Sequence, residues 1–492
     1  MSSTAVRETS LRASDTAAIK SWEDDPIGSV PEALPPRNQP VDADRPDLDP
    51  AGLKVGISGP KPAPGVYDPG TPEFRYWVLA DALGRSAGYW SKRVPAGTTW
   101  QPDNGSRLIA VADEGVDLNA YYDRNGLHFF HGSVRGTTIY SGESPDVVAH
   151  ELGHAVLDAL KPQLFDVASI ETAAFHESFG DCSAMLSNLM LPSFRQAVLD
   201  ETDGRLSTAS RLSRLAESLG WAIRQLVPDG VAPDCLRSAV NSFYYQPPAT
   251  LPPRSPASSL ASEPHSFSRV FTNGVLRVLS GVFAAQPHRD SDGLRQAAED
   301  TGRLLAEGVR RAAVVPAFYA QVAGGMAAAD TALFGGRYRK AVLAAFQAVG
   351  VLSVRSAVEL GARLDAMSDT MLAPADPDTT DGSAAPLPLS GSPYGLPADL
   401  LVRAAAEPRR FGVGSGLTDT GEASAPAPEQ AAASFVEDLL RRGRLDASRV
   451  EGEVPIVAGD LTTHEIVPTD SGLELRRTRF DCGFHVAGAE LD

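Results

Sequence analysis

The chain has 492 residues, a formal net charge of -18, 43% hydrophobic residues and three cysteines. That length allows two or three domains and a sizeable core, and the acidity excludes nucleic acid and anionic membranes as partners, whose phosphates it repels. Cys182, Cys235 and Cys482 are odd in number, far apart and in no zinc spacing, so no disulfide framework is expected.

Met1 to Asp25 is polar and mixed in charge, with no apolar segment of the kind that opens a secretory signal. No run approaches a membrane span; the Ala-rich stretch Val314 to Ala329 is broken by Pro316, Gln321 and glycines. The expected location is cytoplasmic, with signal-independent export left open. Few lysines and abundant Ala, Gly, Pro and Asp point to a high-GC bacterial genome.

Residues 1–70 read as an irregular, Pro- and Asp-rich leader that wraps the rest of the chain. Residues 71–190 read as an α/β lobe. Phe74 to Val94 carries helical apolar spacing through Trp77, Leu79, Ala80, Leu83 and Ala87. Short strands follow at 107–112, 119–123 and 126–132, with Asn125-Gly126 as a hairpin turn signal. Then Ser144-Pro145-Asp146 reads as a helix start: a capping serine, proline in the first turn and an acid at the positive end of the dipole. That helix is apolar on most sides and ends at Pro162. Thr172 to Leu186 is a second helix. Residues 191–370 read as a mainly helical lobe, with periodicity over 211–226, 267–284, 291–312 and 338–349. Residues 371–430 read as linker-rich, with a short helix near 397–406. Residues 431–492 read as a small α/β appendage, with a helix near 428–442, strands at 455–458, 462–468 and 473–480, and no recognisable chemistry.

The chemistry lies in the first of the two central helices, as His150-Glu151-Leu152-Gly153-His154. Histidines four apart share a helix face and grip one metal ion, with Glu151 beside it as general base. This is the core of a zinc hydrolase. A third ligand is required. Glu177 and Asp181, four apart on the next helix, fit as ligand and as the carboxylate that orients one histidine. Glu171 and His176 are rival ligands; His176 points about 100° away from Glu177 around its helix.

These motifs resemble the thermolysin-like zinc metallopeptidases, the gluzincins, which carry H-E-x-x-H on one helix and E-x-x-x-D on the next. Asp146-Val-Val-Ala-His-Glu-Leu152 is similar to the family's D-V-V-A-H-E-L, and Leu118 to Tyr122 to its N-A-F-W edge strand. Leu236-Arg237-Ser238 and His265-Ser-Phe-Ser268 resemble its L-R-S and H-x-x-S segments, at the family's spacing. The resemblance runs from about Pro72 to Gln347. It implies an α+β fold of two lobes, a small α/β lobe with an edge strand and a helical lobe, flanking a groove floored by the zinc helix. It implies an endopeptidase in which His150, His154 and Glu177 hold Zn²⁺ and Glu151 serves an activated water. His265 stabilises the oxyanion, Arg237 holds the substrate carbonyl, and the Asn119–Ala120 backbone pairs with an extended peptide or protein substrate.

Three positions depart from the pattern. The family's oxyanion tyrosine falls at Phe165, which has no hydroxyl; losing such a donor costs roughly 10²–10³ in rate. Tyr121 and Tyr122 are the rival donors. The aspartate partner of the oxyanion histidine falls at Leu260, leaving Glu263 to substitute. Asp146 matches a Ca²⁺ ligand of the family, but a second calcium carboxylate falls at Asn188. Two alternatives therefore stay open: a zinc-binding protein of this type without turnover, and a structural zinc domain.

Overall fold

The structure is a computed structural model and describes residues 18–27, 38–366, 385–406, 426–452, 454–456 and 462–482. It is α+β. The leader holds an antiparallel ribbon, β1 (Ile19–Ser21) with β2 (Val41–Ala43), and then β3 (Val55–Ile57), which joins the central sheet. Its described residues are more regular than the composition suggests, and some of them pack on the chain behind. Trp22 is anchored through its indole N–H to Glu143 at 3.2 Å, and Ile19 packs on Trp77 and Ala80.

Helix α1 (Pro72–Ser91) starts where Thr71 Oγ1 accepts from the Phe74 N–H, with Pro72 in its first turn. Its Leu79, Leu83 and Trp90 enter the main core. Strands β4 (Leu108–Val111), β5 (Ala120–Tyr122) and β6 (Leu127–Phe129) follow. The β5–β6 turn is closed differently from the Asn-Gly expectation. Asp123 Oδ1 accepts the N–H groups of Asn125 and Gly126, and Arg124 takes the left-handed conformation at φ 69°. A second hairpin, β7 (His131–Val134) with β8 (Thr137–Tyr140), turns through Arg135 and Gly136, both at positive φ.

Two helices fill the centre. In α2 (Pro145–Leu160), Ser144 caps the N-terminus by accepting from the Val147 N–H. In α3 (Ile170–Asn188) every residue is buried. Around them stand α4 (Pro192–Thr202), β9 (Arg214–Leu215), α5 (Glu217–Leu226), β10 (Arg237–Ser238), α6 (Pro264–Ala284), α7 (Ser291–Arg311), α8 (Phe318–Phe334), α9 (Arg339–Ala348) and α10 (Val354–Ala366). The helix expected over 211–226 forms only in its second half. Arg214 and Leu215 pair instead with β10, and Ala216 sits at φ 53°, which ends the extended run before α5.

The C-terminal part departs most from expectation. Strand β11 (Ala385–Leu389) lies inside the expected linker, and β12 (Leu400–Ala404) replaces the expected short helix. Leu400, Val402 and Ala404 are buried alternately, which is strand periodicity. Pro386 and Pro388 fit because β11 is an edge strand. Helix α11 (Pro428–Arg442) forms as expected, followed by β13 (Leu445–Asp446), β14 (His464–Thr469), β15 (Gly472–Arg477) and β16 (Phe480–Asp481). Of the expected strand at 455–458, residues 457 and 458 lie outside the described residues. One sheet runs β11-β12-β15-β14-β13. The central sheet runs β16-β5-β6-β4-β3, so the last described strand returns to its edge. Among the described residues no helix is long and apolar enough to cross a membrane.

Candidate metal centre

Helices α2 and α3 come together because two glycines face each other. A Cβ on Gly153 would lie 2.9 Å from the Gly180 Cα, and a Cβ on Gly180 would lie 2.6 Å from the His150 ring. This contact carries the His150/His154 face of α2 onto Glu177 of α3. His150 Nε2 is 3.3 Å from Glu177 Oε2, and His154 Nε2 is 3.8 Å from Glu177 Oε1. A fourth donor joins them, the Cys482 thiol, 3.6 Å from His154 Nε2 and 3.8 Å from Glu177 Oε2. One donor atom from each of the four lies within 4.8 Å of all the others, and all four residues are buried.

These residues fit a metal ion. His150 Nε2 and both oxygens of the fully buried Glu151 make no hydrogen bond of good geometry, with Glu177 beside the first and the Cys482 thiol beside Glu151, although buried polar atoms nearly always find one. His150 Nε2 stands close to Glu177 without the geometry of a hydrogen bond, as ligands aimed at a shared point do. Two imidazoles, a carboxylate and a thiol form a donor set suited to zinc.

The surrounding charges are arranged around this point. The His150 Nδ1 is 3.1 Å from Asp181 Oδ1, the orienting contact expected of Asp181. Arg237, carried by β10, donates to the same Asp181 oxygen at 2.8 Å. Burial pushes the Asp181 carboxyl up, but Arg237 prevails and holds it at about 2. Burial likewise raises Glu177, yet His265 beside it holds it well below the carboxylate range. Burial lowers His154 to about 3, which leaves its ring neutral and able to bind metal. Burial raises Glu151 to about 7. His265, in the first turn of α6, places Nε2 3.1 Å from Glu177 Oε2 and Nδ1 2.7 Å from Glu263 Oε1. Burial opposes its charge, but these two carboxylates raise it to about 10. Glu263 therefore does stand where the sequence puts Leu260 out of reach.

Other expected roles come out differently. Glu171 accepts from the Tyr245 hydroxyl and the Tyr319 N–H, away from the cluster. His176 points elsewhere, stacked on Phe480 with centroids 3.9 Å apart. The Tyr122 hydroxyl donates to Asp158 at 2.9 Å, and Tyr121 stacks on His128, so both rings are engaged elsewhere. Phe165 packs edge-on against Phe480. Asp146 spends both oxygens on protein donors, Oδ1 on the Asn188 amide at 2.7 Å and Oδ2 on the Ala216 N–H at 3.0 Å. Burial and the nearby Asp25 and Asp24 raise it well above the carboxylate range. Both Asp146 oxygens are thus engaged by protein donors. An amide stands where the resemblance puts a second calcium carboxylate, and among the described residues Asp146 joins no group that could hold a metal.

Ala120 is not on an open edge, while Asn119 precedes the paired stretch. β16 pairs with β5, and the Cys482 N–H donates to the Ala120 carbonyl at 3.0 Å. Sequence reasoning found no chemistry in the C-terminal region, and Cys482 corrects that. Its only local signal is a lone cysteine near the end of a strand-like run; its place at the metal cluster depends on a fold contact spanning more than three hundred residues. No protein-family model and no curated protein matches the chain.

Proposed function

We propose that the chain is a zinc-dependent endopeptidase of the thermolysin-like type, its two lobes meeting at α2 and α3. His150, His154 and Glu177 hold the metal. Zinc bound there supplies a Lewis acid that polarises the scissile carbonyl and lowers the pKa of water to about 7. Glu151 accepts a proton from the attacking water and returns it to the leaving amine nitrogen, a task suited to a carboxyl raised to about 7. His265 donates through Nε2 to the developing oxyanion, with Glu263 holding its other nitrogen. Asp181 fixes the His150 ring, and Arg237, clamped to Asp181, presents its guanidinium to a substrate carbonyl. The β5 backbone at Asn119 and Ala120 aligns the peptide as an added strand.

One observation carries this reading: a fully buried glutamate, with the Cys482 thiol beside its carboxylate, stands next to converging metal ligands. A structural metal site needs no such base. The test is zinc content together with casein hydrolysis, before and after Glu151→Gln. The expected result is one zinc per chain in both and cleavage that Glu151→Gln abolishes; a chain that binds no zinc refutes it. The second reading, a zinc-binding protein without turnover, is favoured by the occupied edge of β5, and predicts zinc without cleavage under every condition.

A further inference from the structure

The last described strand of the chain lies where a substrate would. Phe480 is paired with Tyr122 and Asp481 with Tyr121, antiparallel, and the Cys482 N–H continues the ladder to Ala120. An extended peptide added to the edge of a sheet makes the same kind of main-chain bonds. β16 and a substrate on β5 therefore exclude each other. The side chains add to the obstruction. Phe480 is 2% exposed and stacks on both His154 and His176. Asp481 is held by Arg444 at 2.7 Å. The Cys482 thiol enters the ligand cluster itself. Two small pockets flank this segment, one beside Glu177, His265 and Phe480 and one beside Glu151, Arg237 and Cys482. The proposed base and the proposed oxyanion donor thus line different pockets, with the segment between them.

We infer that Phe480, Asp481 and Cys482 form an internal latch: β16 takes the substrate's place on β5, and Cys482 supplies a fourth, thiolate ligand to the metal. The inference rests on the peptidase reading above. A coordinating thiol gives up its proton to solvent, and a four-ligand set leaves no position for water. β16 is only two residues long, so its withdrawal breaks few backbone bonds. Activation then consists of removing this strand, by cleavage ahead of Phe480 or by a reagent that captures the Cys482 sulfur. Two independent observations meet here, a strand on the substrate edge and a sulfur among the metal ligands.

The test replaces zinc with cobalt(II) in the whole chain and in Cys482→Ala and Cys482→Ser, and reads near-ultraviolet absorption and casein cleavage. The expected result is a strong thiolate-to-cobalt band in the unaltered chain that vanishes in both variants while cobalt stays bound. Cleavage should rise about tenfold or more in the variants, because activity scales with the fraction of chains that are open. Cobalt binding without a thiolate band overturns the latch and leaves the peptidase reading standing. A thiolate band with no cleavage in either variant, nor in Phe480→Ala combined with Cys482→Ala, overturns both and makes the cluster a structural site. Two sulfur substitutions guard against one that fails to fold.

Discussion

The contact between Gly180 and His150 allows a sharp prediction. Gly180 lies in the interior of α3, where alanine would normally stabilise a helix by about 1 kcal/mol. Here the added methyl would sit 2.6 Å from both Cε1 and Nδ1 of His150, and ordinary contact begins near 3.4 Å. The ring cannot swing away freely, because Asp181 holds Nδ1. It must move by about 0.8 Å, while ligand positions are set to about 0.2 Å. Overpacking of this kind costs about 1–3 kcal/mol, so the net stability change in Gly180→Ala is between neutral and about 2 kcal/mol unfavourable. The larger effect falls on the metal, whose affinity should drop about tenfold to a hundredfold, as when a ligand loses its orientation. Zinc affinity by competition with a chromogenic chelator, and thermal denaturation, measure the two effects. Gly88→Ala is the control: it lies in the interior of α1, and a Cβ there meets nothing within 4 Å. It should raise stability slightly and leave zinc affinity unchanged. A Gly180→Ala chain that binds zinc as tightly as the original would refute the claim that this glycine sets the His150 ring.

Other expectations follow from the same geometry. Asp181→Asn should lower zinc affinity about tenfold to a hundredfold with little change of fold, read by the same competition assay. Arg237→Leu leaves Asp181 buried without its cation and should cost about 3–5 kcal/mol in chemical denaturation. Removing zinc with a chelator should lower the melting temperature, since a ligand that binds only the folded state stabilises it; an unchanged melting temperature counts against a bound metal. A pH effect should arise at Asp24, Asp25 and Glu217. Burial raises all three, Asp24 to about 7 and Glu217 to about 8, with neighbouring carboxylates adding to Asp24 and Glu217. Their folded pKa values lie above the unfolded ones, so the folded state binds more protons. Stability from these groups is full below about pH 4 and is lost as pH rises toward 8. Asp24→Asn should flatten that decline in melting curves across the range, and an unaltered slope would contradict it.

Much of the site is legible in the chain because its residues are local. His150, Glu151 and His154 are one helical turn, and Glu177 and Asp181 are another, so period and capping place them without knowledge of the fold. The start of α2 at Pro145 is written in Ser144 and Pro145 for the same reason. Glu263 is suggested as the partner of His265 only by default, since its role depends on the first turn of α6. What escapes is non-local. The residues of β12 suggest a helix in the sequence because a short apolar run does not reveal its period until its neighbours bury alternate residues. β9 and β10 are two-residue strands fixed by each other. Cys482 reaches His154 because the appendage packs back on the connection between α2 and α3, where Arg477 donates to the Phe165 carbonyl and the Arg403 carbonyl accepts from the Ala168 N–H, and because β16 joins β5. No local pattern carries such a contact.

The most direct test of the central claim is anomalous X-ray scattering from a crystal of the whole chain, measured on either side of the zinc absorption edge. The account predicts a single strong zinc peak enclosed by His150 Nε2, His154 Nε2 and the Glu177 carboxylate. The absence of zinc at that point, or zinc bound only at other residues, would contradict it.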